Sequence, residues 1–300
     1  MSHKDNNQKS SKTAMLAAFH RALANHEFNN NEIHGPDHLS RFFLPSFKRF
    51  ILNFTFIRSL VKAKLKKIIP GMDELMIART AFYDGLFKDA LNNNFPQIVL
   101  LGAGYDTRIL RFADLNNATR IIELDVLSTQ NNKKKCLEKA NIRIPEHVTL
   151  TSVDFNKESI PDVLEKAGYD RHLKTLFIWE GVTMYLEPAS VDRTLEVVTR
   201  FSNSDSIIAF DYLVTIPSGE INNWYGVKEI LQIMKKQYGD EKFIFSIDEG
   251  KIGIFLDERG LKMTEHFDSR TLEKKFLTRK DGSLIGNMMA AYGIVTAMMK

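Results

Sequence analysis

A chain of 300 residues with 44% hydrophobic and 26% charged residues is long enough for one large core or two small ones. Lys plus Arg (41) exceed Asp plus Glu (37) by only 4, a bias too mild to point to nucleic acid. The one cysteine, Cys136, excludes an intramolecular disulfide and a thiolate metal cluster. Without any run of ~20 apolar residues to span a bilayer, a soluble cytoplasmic protein is expected.

Residues 1–11 are polar and aperiodic, and are expected to be a disordered tail that lacks the apolar stretch of a signal peptide. Thr13 to His26 sets Met15, Leu16, Phe19 and Leu23 on one helical face, with Thr13 as its N-cap. "HGPDH" (34–38) is a turn. Leu39 to Ile69 is aromatic and basic with a helical period, stopped by Pro70-Gly71, and Asp73 to Leu91 is a further helix. After Pro96, short β-branched runs (98–101, 120–125, 148–155, 175–180, 206–212) alternate with helical ones (127–140, 159–167, 190–201). That alternation implies β-α-β units and a parallel sheet buried on both faces. A helix at 248–259, a strand at 261–267 and an apolar run at 290–299 end the chain, consistent with a closing hairpin at one sheet edge. The division expected is a tail (1–11), a helical N-terminal cap or lid (12–95) and one Rossmann-like α/β domain (96–300).

"VLLGAGYDTR" (99–108) begins as a dinucleotide fingerprint, but Thr107 stands where the third glycine of G-x-G-x-x-G belongs. Gly102 permits a tight turn and Gly104 lets a ligand approach bare backbone; the third glycine serves close helix packing over a pyrophosphate. A ligand without phosphates relaxes that last demand, and S-adenosylmethionine is such a ligand. Glu123 and Asp125 follow Gly102 by 21 and 23 residues, a spacing suited to ribose hydroxyls, and period two puts both on one face. Asp125, at the strand's carboxyl end, is preferred. Asp154 closes the next strand in the same way and is placed for an adenine amino group. Acids at strand ends are also common helix caps, and Asp106 reads as one.

In order, "LGAGYDTR", "ELD" with Lys133 and Lys135 after it, "SVDF" and "WEGVTMYL" (179–186) resemble the leucine carboxyl methyltransferase-like family of O-methyltransferases. "TAMLAAFHRA" and "IARTAFYD" upstream are in keeping, so the likeness runs from about Lys12 to about Tyr212. The resemblance implies the class I methyltransferase fold, an α/β Rossmann-like sheet of seven strands with the last antiparallel. It also implies S-adenosylmethionine as cofactor. By the same resemblance, Arg79 grips the cofactor's carboxylate, with a surface helix arginine as the plain alternative. Gly102, Ala103 and Gly104 pass its amino-acid end. Glu123 or Asp125 takes the ribose, Asp154 with Phe155 the adenine, and Glu180 lies by the ammonium and sulfonium end. Tyr185 is a candidate for the acceptor pocket. Trp179 is a second candidate, with core packing preferred, and Lys12 would assist Arg79.

The function expected is methyl transfer to a carboxylate or hydroxyl of a small-molecule or peptide-terminal acceptor. Two rivals stay open: an NAD(P)-dependent oxidoreductase, and a catalytically silent module that only holds S-adenosylmethionine. A carboxylate acceptor needs no base, whereas a hydroxyl benefits from one, and the histidines offer no motif. His34 and His38 have no acidic third ligand, so no metal site is expected. Cys136 in its basic helix reads as a packed or solvent-edge thiol rather than a nucleophile. The segment 41–67 interleaves Phe42, Phe43, Phe47, Phe50, Phe54 and Phe56 with Arg49, Arg58, Lys62 and Lys64. It is read first as a cover whose aromatic face packs on the sheet domain, second as a lid over an apolar, anionic acceptor. A membrane-surface helix is a third reading that burial of the phenylalanines would remove. Membrane association is not expected, and the oligomeric state is open.

Overall fold

In the computed structural model, residues 11–25, 37–217, 219–237 and 242–300 are described. His26, His34 and the start of the 34–38 turn lie outside them, as does the tail up to residue 10. Helix α1 (Lys12–Asn25) starts one residue before the expected span, because the Ser11 hydroxyl, rather than Thr13, accepts from the Ala14 N–H at 3.0 Å. Ser11 itself is tied down, its N–H donating to Thr129 Oγ1 at 3.2 Å. The aromatic-basic segment is three pieces: a 3-10 turn at Ser40–Phe43, α2 (Ser46–Ile51) and α3 (Thr55–Ile68). Pro45 breaks it before α2, and Pro70-Gly71 ends it before α4 (Met72–Asn92).

From residue 97 the chain alternates as expected. The strands are β1 (Gln97–Leu101), β2 (Arg120–Asp125), β3 (Val148–Ser152), β4 (Thr175–Trp179) and β5 (Ile207–Thr215). A four-residue turn, α5 (Arg108–Arg111), follows β1; α6 (Leu127–Lys139), α7 (Ile160–Lys166) and α8 (Pro188–Arg200) follow β2, β3 and β4. The rest comprises α9 (Val227–Gln237), a two-residue strand β6 (Ile247–Asp248), α10 (Ile252–Asp257), β7 (Leu261–Asp268), α11 (Ser269–Phe276) and β8 (Tyr292–Met299). Helices α9 and α11 have no counterpart in the sequence reading, although Val227, Ile230 and Met234 recur at helical spacing and are all buried.

The main sheet runs β3-β2-β1-β4-β5-β8-β7, with β6 added against the end of β5. β1 to β5 are parallel, and β8 is antiparallel to both neighbours. The sheet of seven strands with its last antiparallel is therefore present. The closing pair differs from a simple edge hairpin: β8 inserts between β5 and β7, leaving β7 as the edge. Most of β7 is exposed, it carries Lys262, Glu265 and His266, and a bulge interrupts its register between Met263 and Glu265; charge and irregular pairing both discourage edge-to-edge association.

Strand parity builds two cores. Ile98 and Leu100 of β1 face α4, packing among Phe82, Phe87 and Leu91, while Val99 and Leu101 face α8 through Leu195 and Val198. A third cluster seats α1 on the sheet domain: Leu23, Phe43 and Leu52 meet Tyr105 and Leu137, and the Phe43 and Tyr105 rings stack at 4.9 Å. His20 of α1 bonds Asp73 at the head of α4 at 2.5 Å. Because β1 pairs β2 on one side and β4 on the other, the chain reverses direction across the sheet at β1. The crevice outside such a switch point is where open α/β sheets bind ligands.

Candidate functional site

A cavity of about 470 Å³ opens at that crevice, walled by α1, α4, the loop after β1 and the ends of β2 and β4. The loop turns through Gly102 (φ +70°) and Gly104 (φ +53°), in the left-handed region that side chains avoid. A Cβ on Gly102 would lie 2.4 Å from Val182 Cγ2, so the turn also requires a glycine for space. Thr107 is buried and opens only the single turn α5, its hydroxyl accepting from Arg111 Nε at 2.8 Å. The helix that follows the loop is only this turn, so the third glycine's usual task, close packing of a long following helix, falls away. Asp106, read as a helix cap, stands one residue before the N-cap Thr107, where its Oδ1 accepts from the Arg108 N–H at 2.7 Å, and it also lines the cavity.

Asp125 reaches into the crevice from the end of β2. One carboxylate oxygen accepts from the Gly104 N–H at 2.5 Å and the other from the Val126 N–H at 2.7 Å, so it holds the glycine loop and still faces the cavity. Arg79, Gly102, Ala103, Gly104, Phe155, Glu180 and Tyr185 line the same cavity, as does Lys12. Arg79 is buried; its Nε lies 2.9 Å from Glu180 Oε1 and its Nη1 3.7 Å from Asp211 Oδ2. The second Glu180 oxygen pairs with Arg108 Nη1 at 2.8 Å. Burial works against the Arg79 charge, but Tyr292, Glu180 and Asp211 outweigh it and hold the guanidinium firmly protonated. Asp211, beneath Arg79, has its carboxyl pushed up to about 6 by burial, with Arg79 and the hydrogen bond from the Tyr292 hydroxyl opposing.

Two expected residues stand elsewhere. Glu123 is buried behind the crevice, where both its oxygens accept from Lys133 Nζ at 2.9 and 2.7 Å. It shares a strand face with Asp125 but lies one step deeper, under α6, and burial raises its carboxyl to about 7 against the pull of Lys133. Asp154 also turns away: it accepts from the Asn156 N–H at 3.1 Å and pairs with Lys157 at 3.1 Å, closing the turn after β3 and leaving Phe155 and Asn156 on the cavity wall. Trp179 is fully buried in the core. Cys136 is half-buried, and burial raises its thiol against the pull of Lys139 and Arg49. Among the described residues no cluster of His, Cys, Asp and Glu is arranged to hold a metal ion. Because the Glu123–Lys133 pair is structural, Glu123→Gln is expected to cost about 3 kcal/mol of stability by stranding a buried ammonium. It should leave cofactor affinity within about threefold in the folded protein; denaturant titration and calorimetry on the same sample separate the two effects.

Residues not singled out beforehand complete the site. Arg21 of α1 pairs with Asp37 at 2.9 Å and donates to the Tyr105 carbonyl at 2.8 Å, clamping α1 to the glycine loop. Arg108 joins Glu180 to Asp84 (2.9 Å), which also takes Arg111 at 2.6 and 2.7 Å. Met72, Met76 and Arg79 recur at helical spacing on α4 and share the cavity wall, a pattern available in the sequence. Ile230, Met234 and Phe243 extend that wall with apolar surface, and Phe243 lies against the Tyr185 ring at 5.4 Å. The cavity's charges are three acids (Asp106, Asp125, Glu180) and three bases (Lys12, Arg21, Arg79), a balance suited to a zwitterion rather than to a pyrophosphate.

The sheet order, the glycine turn at its switch point and the acid at the end of β2 define a class I S-adenosyl-L-methionine-dependent methyltransferase fold. The chain belongs to the leucine carboxyl methyltransferase family, whose profile matches residues 14–199. It is 25% identical over 293 residues to YktD of Bacillus subtilis (strain 168), named as a candidate S-adenosyl-L-methionine-dependent methyltransferase, a match covering 92% of this chain and 94% of YktD. A similarly named protein of Mycobacterium sp. (strain JLS) is 27% identical over 206 residues, covering 66% of this chain and 65% of that relative. The crystal structure of a candidate methyltransferase from Thermobifida fusca YX superposes with a TM-score of 0.60 at 15% identity, covering 99% of this chain and 97% of that one. A duf574 family protein from Streptomyces avermitilis gives 0.61 at 10% identity, covering 99% and 100%.

Proposed function

We propose that the protein is an S-adenosyl-L-methionine-dependent O-methyltransferase whose acceptor is a small, largely apolar molecule bearing a carboxylate or an oxygen acidic enough to arrive ionised. The observation that carries this reading is the junction of two unlike surfaces on α4. Arg79 presents a guanidinium paired with Glu180, and Met76, whose sulfur lies 3.3 Å from Arg79 Nη2, begins the apolar wall of Met72, Ile230, Met234 and Phe243. On this reading Arg79 holds the cofactor's carboxylate by a fork of two N–H donors and Glu180 its ammonium. The loop from Gly102 to Gly104 admits the amino-acid chain, which a Cβ at either glycine would crowd. Asp125 accepts from the ribose hydroxyls, and Phe155 with Asn156 flanks the adenine. Tyr185 closes the acceptor side.

Bound in this way, a sulfonium supplies an already activated methyl group, so the chain's part is alignment and exclusion of water. Asp106, Asp125 and Glu180 are each committed to a guanidinium or to backbone N–H groups. That commitment supports an acceptor ionised before it binds, since a hydroxyl of high pKa needs a free base beside it.

The test uses S-adenosylmethionine labelled in its methyl group with matched aryl carboxylic acids, acidic phenols and aliphatic alcohols. Transfer to the carboxylic acids or phenols at neutral pH is expected, with the esters recognised by their lability to base. Transfer to the alcohols alone would contradict the reading. Tight S-adenosylhomocysteine binding with no transfer to any series would favour the silent module.

A further inference from the structure

The cover expected of residues 41–67 is not what the structure shows. Phe43 is buried, but Phe47, Phe50, Phe54 and Phe56 are 73%, 60%, 44% and 74% exposed, and Leu60 is 55% exposed. Neither α2 nor α3 contains a buried residue. The two helices are nonetheless attached: Ile57, Val61 and Leu65 of α3 are half-buried, Val61 and Leu65 packing towards the cluster that seats α1. Phe56 and Leu60 are the opposite, outward set, one helical turn apart. Phe50 and Phe54 pack edge to face at 5.0 Å, so two of the exposed rings adjoin across the break between α2 and α3, with Phe47 one turn before Phe50 and Phe56 two residues after Phe54.

The charge around this patch is one-sided. Between Asp37 and Asp73 the chain carries Arg41, Lys48, Arg49, Arg58, Lys62, Lys64, Lys66 and Lys67 and no acidic residue. Lys48, Lys64, Lys66 and Lys67 are exposed, while Lys62 faces Asp73 and Glu74 of α4. A second copy of the chain is a poor occupant, because two-fold pairing of the arm on itself would set cations against cations. A single-stranded nucleic acid would use the rings for stacking and leave Leu60 and the exposed Ile68 (40%) without a role. An anionic lipid surface satisfies both features: headgroups neutralise the lysines, and Phe and Leu side chains enter the acyl boundary.

We propose that α2 and α3 form a peripheral docking arm for anionic bilayers, lying on the membrane surface without crossing it. The arm leads through Pro70-Gly71 directly into α4, whose first residue, Met72, lines the cavity. The docking itself does not depend on the proposed methyl transfer.

Co-sedimentation of the full chain with phosphatidylcholine vesicles, with and without about one-third phosphatidylglycerol, tests the arm. Binding at least about tenfold stronger to the anionic vesicles is expected, falling steeply with added salt. Phe47→Ser with Phe50→Ser and Phe56→Ser should weaken it by a further factor of about ten or more, and Lys64→Gln with Lys66→Gln and Lys67→Gln by a similar factor. Both sets are solvent-facing, and unchanged thermal stabilisation by S-adenosylhomocysteine checks that each variant is folded. Absence of binding to anionic vesicles would overturn the proposal. So would binding insensitive to the phenylalanine changes, a concentration-dependent dimer abolished by them, or tighter binding to a single-stranded oligonucleotide than to the vesicles.

Discussion

Arg79→Ala is expected to weaken S-adenosylhomocysteine binding by about 100-fold, equivalent to about 3 kcal/mol. The guanidinium is buried and sits 2.9 Å from Glu180, so its loss removes the proposed partner of the cofactor's carboxylate and leaves Glu180 to Arg108 alone. The remaining negative charge then repels the very group Arg79 would bind. Arg79→Lys keeps one charge but not the planar fork, and a smaller loss of about tenfold is expected. Isothermal calorimetry on both variants gives the order directly. Equal affinities for wild type and Arg79→Ala would remove Arg79 from the site and leave it as a structural ion pair.

Asp84→Ala should cost on the order of 3–5 kcal/mol of stability, because two buried cations lose their shared carboxylate at once and Arg111 keeps only the Thr107 hydroxyl and the more distant Asp37. Asp84 is 1% exposed and bridges Arg108 Nε with both terminal nitrogens of Arg111. For a chain of this length that loss corresponds to a fall of roughly 5–8 °C in Tm. It should also loosen Arg108, and through it Glu180, so cofactor affinity falls together with stability. Thermal melts with and without saturating S-adenosylhomocysteine report both; a Tm within about 2 °C of wild type would show that the network is solvated enough to replace the carboxylate.

Local chemistry explains what could be read beforehand. β2 is recovered to the residue and β1 to within one, because a strand buried on both faces is written as an unbroken apolar run ended by a turn or an acid. The glycine turn and Asp125 are equally legible: the conformation needs Gly102 and Gly104, and the carboxylate at the end of the next strand closes on the Gly104 N–H. Glu123 and Asp154 do not line the cavity, because period two assigns a face of a strand but not a depth along it. Whether an acid meets a ligand, a lysine or its own turn depends on α6 and on the bend after β3. Arg108 stood inside the motif unassigned, since its partners Asp84 and Glu180 lie on other elements. The apolar wall from α9 was invisible for the same reason, and the phenylalanines of α2 and α3 show that an amphipathic pattern specifies two faces without saying which one is covered.

The crevice at β1 is proposed to be made for an amino-acid zwitterion linked through sulfur to adenosine. Calorimetric titration of the unmodified protein with S-adenosylhomocysteine and, separately, with oxidised nicotinamide adenine dinucleotide measures this most directly. One-to-one saturable heat with the first and none with the second is predicted; heat with the dinucleotide alone would contradict it.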